Sequence, residues 1–171
     1  RGSIYDKNLN PLVTSSQAFN IGIYPNKISN VKETSVLLAP FVQKDSTEIA
    51  NRILNSNRFF YLDRNIEYIK GEEIKSWNLD GVLIEPSNKR IIHTPSMNKI
   101  VGFVDTDHNG IEGLELYFNS SLNGTDGIIS YEAAPNGSII PQANIQTTQP
   151  IHGEDLVLTL DSELQYLSTN L

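Results

Sequence analysis

The sequence predicts an α+β fold, on three observations. Period-two apolar alternation marks strands near both ends of the chain. Residues 30–79 instead carry helical spacing and capping residues. No repeat or low-complexity tract interrupts the pattern. The chain has 171 residues, enough for one sizeable domain or two small lobes sharing a core. Hydrophobic residues at 39% and charged residues at 19% are globular proportions and exclude wholesale disorder.

Taken in order, Ser3-Ile4-Tyr5-Asp6 begins a strand, and Asn8-Leu9-Asn10-Pro11 has turn chemistry. Leu12-Val13 is extended, and Phe19, Ile21 and Ile23 alternate with Asn20 and Gly22 as in a half-buried strand ended by Pro25-Asn26. Val36-Leu37-Leu38-Ala39 precedes Pro40, which should end or kink a helix. Asp45 and Glu48 form a capping-box pattern before Ile49, Ile53 and Leu54 on one helical face. Phe59-Phe60-Tyr61-Leu62 reads as a short strand, and Glu72 through Trp77 as a short helix. Val82-Leu83-Ile84 and Arg90-Ile91-Ile92-His93 are expected to pair across Ser87-Asn88. Gly110 to Leu122 has near-3.6 spacing and should be one helix closed by Asn123-Gly124. Strand regions follow at 128–133, 138–146 and 155–160, and Asp161 should cap a last helix carrying Leu164 and Leu167.

Charge and composition narrow the function classes. Thirteen Lys and Arg against 20 Asp and Glu give a net charge of −7, with no basic block to neutralise phosphates; no nucleic-acid partner is expected. The absence of Cys excludes a disulfide framework, a thiolate zinc site and a cysteine nucleophile. No stretch approaches the roughly 20 apolar residues that span a bilayer, and none in this sequence reads as a signal peptide. The chain opens at Arg1 without Met and stops inside a predicted helix, so it reads as a piece of a longer protein.

Two patterns could carry chemistry. Asp105-Thr-Asp107-His-Asn109-Gly110 matches the first half of an EF-hand loop, but its twelfth position is Leu116 rather than a bidentate Glu. A polar turn ahead of a helix explains the same residues. Ser96-Met-Asn-Lys99 matches the S-x-x-K pair of penicillin-interacting serine enzymes, and Ser121-Leu-Asn123 their S-x-N corner. The Lys-Thr-Gly strand that such a site needs is missing. His93, His108 and His152 have no metal-ligand spacing. No catalytic residue, cofactor or metal ligand is therefore assigned. The alternatives are a stand-alone exported serine enzyme using Ser96 and Lys99, or a calcium-binding module at 105–109.

A series of short motifs runs through the whole chain. These are Arg1-Gly2-Ser3-Ile4-Tyr5-Asp6-Lys7-Asn8, Phe60-Tyr61-Leu62-Asp63-Arg64, Leu79-Asp-Gly81-Val82 and Val101-Gly102-Phe103-Val104. Then come Gly110-Ile-Glu-Gly113-Leu-Glu115-Leu-Tyr117-Phe-Asn119, Leu122-Asn-Gly124-Thr-Asp-Gly127 and Gly153-Glu-Asp155-Leu-Val-Leu-Thr159-Leu-Asp161-Ser-Glu-Leu164-Gln165. In this order they resemble the N-terminal, non-catalytic pedestal (dimerisation) module of class B penicillin-binding proteins. Phe103 after Gly102 and a short head favour the cell-division type. Lys7 and Leu9 depart from the family's Arg and Gly, and its R-x-Y-P segment survives only as Lys89-Arg90-Ile91-Ile92-His93.

The resemblance implies a β-rich pedestal over residues 1–171 with a smaller helical head inserted at about 30–79, and a transpeptidase domain starting near 161. Carried over by motif, the structural residues are Arg1, Gly2, Asp6, Arg64, Arg90, Gly110, Gly113, Glu115, Gly153, Asp155 and Asp161. Glu115 is expected to pair with Arg1 or Arg64. The implied partners are the protein's own transpeptidase domain, a polytopic glycosyltransferase, and other divisome or elongation proteins. The implied location is outside the bacterial cytoplasmic membrane, tethered by a span that this sequence does not include.

Overall fold

A computed structural model describes residues 1–130 and 146–169. In chain order the elements are β1 (Ile4–Tyr5), β2 (Pro11–Ile23), α1 (Val31–Val42), α2 (Ser46–Leu54), β3 (Phe60–Glu67) and α3 (Tyr68–Ser76). Next come β4 (Val82–Ile92), α4 (Asn98–Val101), α5 (Gly113–Tyr117), α6 (Asn119–Leu122) and β5 (Ile128–Ser130). Last are β6 (Gln146–Thr148), β7 (Leu156–Val157) and α7 (Ser162–Thr169), so the α+β class stands. The chain forms two compact units, Ser15–Ile91 and Arg1–Thr14 with Ile92–Leu171. The head expected at about 30–79 lies within the first of these limits.

In the Ser15–Ile91 unit, β2 pairs antiparallel with β3, from Ala18↔Glu67 to Ile23↔Phe60, and also with β4. Phe19, Ile21 and Ile23 of β2 meet Leu62 and Ile66 of β3, Leu38 and Val42 of α1, Ile49 and Ile53 of α2, and Ile74 of α3. The alternation predicts a strand with one face in water, but both faces are covered. Asn20 is buried too, its Oδ1 accepting the Asn65 N–H at 3.0 Å. The Phe59 ring lies where a side chain at Gly22 would stand.

Pro40 does not end α1. The helix runs one short stretch further to Val42, closed by left-handed Gln43, whose N–H returns to the Ala39 carbonyl. Burial of Val42 and packing of Phe41 offset the hydrogen bond that proline cannot make. The expected hairpin across Ser87-Asn88 is also corrected. β4 is one eleven-residue strand, and the backbone bonds Tyr24 N–H to Gly81 O and His93 N–H to Leu12 O tie its flanks. Pro86, which cannot donate, stands on it at an exposed position.

The other unit has its own core of Ile4, Leu12, Val13, Met97, Val101 and Leu122, with Leu156, Leu158 and Leu160 packed against it. There β1 lies antiparallel to β2 (Ile4↔Val13) and parallel to β7 (Ile4↔Leu156). The single helix predicted at 110–122 is instead two short pieces. Gly110 bridges to Val104, Glu112 is extended, and only Gly113, at φ +62°, lets the chain turn into α5. β5 and β6 pair antiparallel. The remainder of the strands expected at 128–133 and 138–146 lies outside the described residues.

Candidate functional site

Arg1 is the hub of the Arg1–Thr14, Ile92–Leu171 unit. Its side chain and that of Glu115 are 3% and 1% exposed, with Arg1 Nη2 2.7 Å and Nε 2.8 Å from Glu115 Oε2. Nη2 also donates to the Glu115 carbonyl at 2.9 Å, and Nη1 to the His108 carbonyl at 2.9 Å and Asn119 Oδ1 at 2.8 Å. A planar fork with fixed donors suits this role, because a buried guanidinium must satisfy every N–H. Asn119 Oδ1 further accepts the Gly110 N–H at 2.8 Å. A Cβ on Gly110 would run into the Glu115 carbonyl, so glycine alone permits this approach.

The EF-hand-like residues serve this hub. Asp105 Oδ1 accepts the N–H groups of Asp107 and Asn109 at 2.8 and 2.9 Å, and Oδ2 accepts from Asn109 Nδ2 at 3.3 Å. The Asn109 N–H foremost, with the other donors, outweighs burial and holds the Asp105 carboxyl below its ordinary value. The turn places His108 in the left-handed region, and its carbonyl reaches Arg1. Among the described residues, no group of three or more His, Asp or Glu is arranged to hold a metal ion.

The first strand is held on its far side as well. Gly2 donates to the Leu122 carbonyl at 2.8 Å, and Ser3 N–H to Asp155 Oδ1 at 2.6 Å. Gly153 packs against that same Leu122 carbonyl. Glu154 donates to the Ser121 carbonyl, and Leu156 to that of Ser3. Two distant segments, 121–122 and 153–156, thus meet at residues 2–3.

Asp6 joins this strand to α7. It is fully buried; Oδ1 accepts the N–H groups of Asn8 and Asn10 at 2.8 Å each, and Oδ2 accepts from Asn10 Nδ2 at 3.0 Å and Ser162 Oγ at 2.7 Å. Desolvation by burial, the largest single influence, would raise its pKa. Hydrogen bonds from Ser162, Asn10 and Asn8 together outweigh it and hold the carboxyl far below its ordinary 3.8. Next to it, Lys7 Nζ lies 3.1 Å from Asp161 Oδ2, while Asp161 Oδ1 caps α7 through the N–H groups of Glu163 and Leu164.

A pH dependence follows. The folded pKa of Asp6 is depressed, so its contribution to stability is complete above about pH 4 and is lost as pH falls through the folded value. Asp6→Asn is expected to lower the urea midpoint at pH 7 and to flatten its fall below about pH 4. Urea titrations of both proteins across that range check it; equal acid slopes would overturn it.

The remaining expected residues fall in the Ser15–Ile91 unit. Arg64 lies over the Tyr61 ring at 4.9 Å, and Arg90 Nη1 donates to Ser15 Oγ at 2.9 Å. Arg1 is therefore the cation that meets Glu115. Ser96 Oγ is buried with no hydrogen-bond partner among the described residues, and Lys99 is exposed. Sequence reasoning does not find Asn119, His108, Asn10 and Ser162 as members of these clusters. For Asn119, Asn10 and Ser162 the only sequence signal is a carboxamide or hydroxyl near a motif carboxylate, which is too common to single out, and His108 takes part through its backbone carbonyl, which no side-chain pattern marks.

Comparison with known proteins gives the family of the chain. Residues 1–158 match the family described as the penicillin-binding protein dimerisation domain. The chain is 29% identical over 171 residues to the probable peptidoglycan D,D-transpeptidase PbpC of Pseudomonas aeruginosa, covering 98% of this chain and 30% of that protein. It is 28% identical over 171 residues to stage V sporulation protein D of Bacillus subtilis, covering 96% and 26%. It thus spans under a third of the length of these relatives. A peptidoglycan synthetase from Bifidobacterium adolescentis superposes with a TM-score of 0.59 at 25% identity, over 99% of this chain and 36% of that one. PBP2 of Helicobacter pylori, solved in complex with MreC, superposes with a TM-score of 0.70 at 18% identity, over 99% and 36%. Spanning nearly the whole sequence, the family match and the class B relatives leave one conclusion: this chain belongs to the dimerisation-domain family of penicillin-binding proteins.

Proposed function

We propose that this domain is the non-catalytic pedestal of a membrane-anchored peptidoglycan D,D-transpeptidase. It positions the catalytic domain outside the cytoplasmic membrane and docks wall-synthesis partners, a polytopic glycosyltransferase among them, during septum formation. The observation that carries the positioning role is the closure of the first strand onto α7. Asp6 holds Ser162, and Lys7 holds Asp161, so the start of the last helix is fixed to the opening motif. Charge-assisted bonds on a buried carboxylate are strong and directional, which suits a rigid support. The docking role draws support from the Helicobacter pylori PBP2, whose structure is that of a complex with MreC.

Fluorescent penicillin and co-purification test the reading together. The isolated 171-residue chain should take no label, whereas the whole protein should label at a serine outside it. The whole protein should also co-elute with the glycosyltransferase in detergent, and lose that partner when this domain is deleted. Labelling of the isolated chain that disappears in Ser96→Ala would overturn the proposal, as would co-elution that survives the deletion.

A further inference from the structure

The Ser15–Ile91 unit carries a groove of about 760 Å³ that spans from Tyr68 and Ile69 at the start of α3, across Ser16 and Gln17 of β2, to Lys89 and Ile91 of β4. Its apolar walls are in water, with Ile69 80% exposed and Tyr68 and Ile91 also exposed. β4 pairs with β2, and the bonds Tyr24 N–H to Gly81 O and His93 N–H to Leu12 O share one register, which sets Lys89 opposite Ser16. The main-chain groups between these two strands are therefore taken, and the groove offers side chains rather than a strand edge. Lys89 is exposed, and Arg90, whose Nη1 is held by Ser15 Oγ at 2.9 Å, adds a second positive charge. Glu67, the carboxylate of the lining, has Lys70 at 3.4 Å. The unit has ten Lys and Arg against nine Asp and Glu, whereas the other unit has three against eleven. The chain's net negative charge thus lies outside the unit that holds the groove.

We infer that this groove takes an amphipathic α-helix of a partner protein, apolar along one stripe and acidic beside it. A peptide seated here finds the β2–β4 main chain already paired, so its own N–H and C=O groups must be satisfied internally, as in a helix. Residues three and four apart on a helix line up as one stripe, which suits Tyr68, Ile69 and Ile91 as a shared apolar wall. Carboxylates flanking the stripe meet Lys89, with the charge of Arg90 beside it, which supplies the charge complementarity. An acidic helix meets no net repulsion from this unit, unlike the other, and that steers it here. The inference rests on the docking half of the proposed function and gives it a location and a partner chemistry.

The test titrates the isotopically labelled 171-residue chain with a terminally blocked peptide that has Leu at i, i+3, i+4 and i+7, Glu beside that stripe and Ala elsewhere. The Ile69 and Ile91 methyl resonances should shift and saturate. The same peptide broken by a central Pro, an extended peptide alternating Val and Glu, and a version with Lys for Glu should each bind at least tenfold more weakly. Ile69→Asp should cost at least tenfold; an acid in the first turn of α3 suits the helix dipole, so the variant should stay folded. Lys89→Glu should narrow or reverse the preference for the acidic peptide. Absence of methyl shifts at millimolar peptide, or equal binding of the Pro-broken, extended or Lys peptide, would each overturn helix docking. So would unchanged affinity in Ile69→Asp or an unchanged preference in Lys89→Glu. Flotation with anionic phospholipid vesicles that Ile69→Asp abolishes, without peptide binding, would reassign the groove to a lipid surface. If the peptide arms fail while the whole protein still co-elutes with the glycosyltransferase, the groove is wrong and the docking role stands. If co-elution fails and the peptide binds, the reverse holds.

Discussion

Glu115→Gln and Arg1→Ala are each expected to cost about 3–5 kcal/mol of folding stability, the range for breaking a buried ion pair by removing one partner. The penalty comes from the charge left behind. With Glu115 neutral, the guanidinium remains buried against the His108 and Glu115 carbonyls and Asn119 Oδ1, and the carboxylate charge of its ion pair is gone. With Arg1 removed, the carboxylate, 1% exposed, is stranded. The double variant should therefore lose clearly less than the sum of the two singles. Chemical denaturation of the four proteins measures this, and additive losses would refute the pairing. Lys70→Ala supplies the contrast. Its partner Glu67 lies 3.4 Å away at the surface, and solvent screening should hold that loss under about 1 kcal/mol.

Gly110→Ala is expected to cost roughly 3 kcal/mol, the upper end of what an added methyl does in a packed site. The obstacle is the Glu115 carbonyl, not a flexible side-chain end. That carbonyl accepts from Arg1 Nη2, while the Gly110 N–H is held by Asn119 Oδ1. Relief requires α5 to slide away from Arg1, which loosens the ion pair as well. Combined with Glu115→Gln, the substitution should accordingly cost less than the sum. Urea unfolding that shows a loss under about 1 kcal/mol would mean that α5 moves without disturbing the hub.

These sites are legible in the sequence to different depths. Motif order singles out Glu115 together with two candidate arginines, because it marks which residues matter but not which of them meet. The choice of Arg1 over Arg64 is made by tertiary placement, which puts Arg64 over Tyr61 in the other compact unit. Asp161 is readable as a cap because its donors, Glu163 and Leu164, lie two and three residues away. The bond between Asp6 and Ser162 spans 156 positions and leaves no local trace. The half-EF-hand pattern is real as a turn. Asp105 spends its oxygens on its own loop and so presents the His108 carbonyl to Arg1.

Two of the misread elements share a cause. Pro40 and Ser87-Asn88 look like breaks by local propensity, and each is overridden by long-range pairing or burial. Alternation, caps and motif order suffice by themselves to determine the α+β class and the family, and they nominate a short list of structural residues. Those signals are local, reaching from one residue to the next few. Which cation neutralises Glu115 and where the strands run unbroken are decided only in the tertiary structure. Each depends on desolvation and hydrogen-bond completion between segments far apart in sequence.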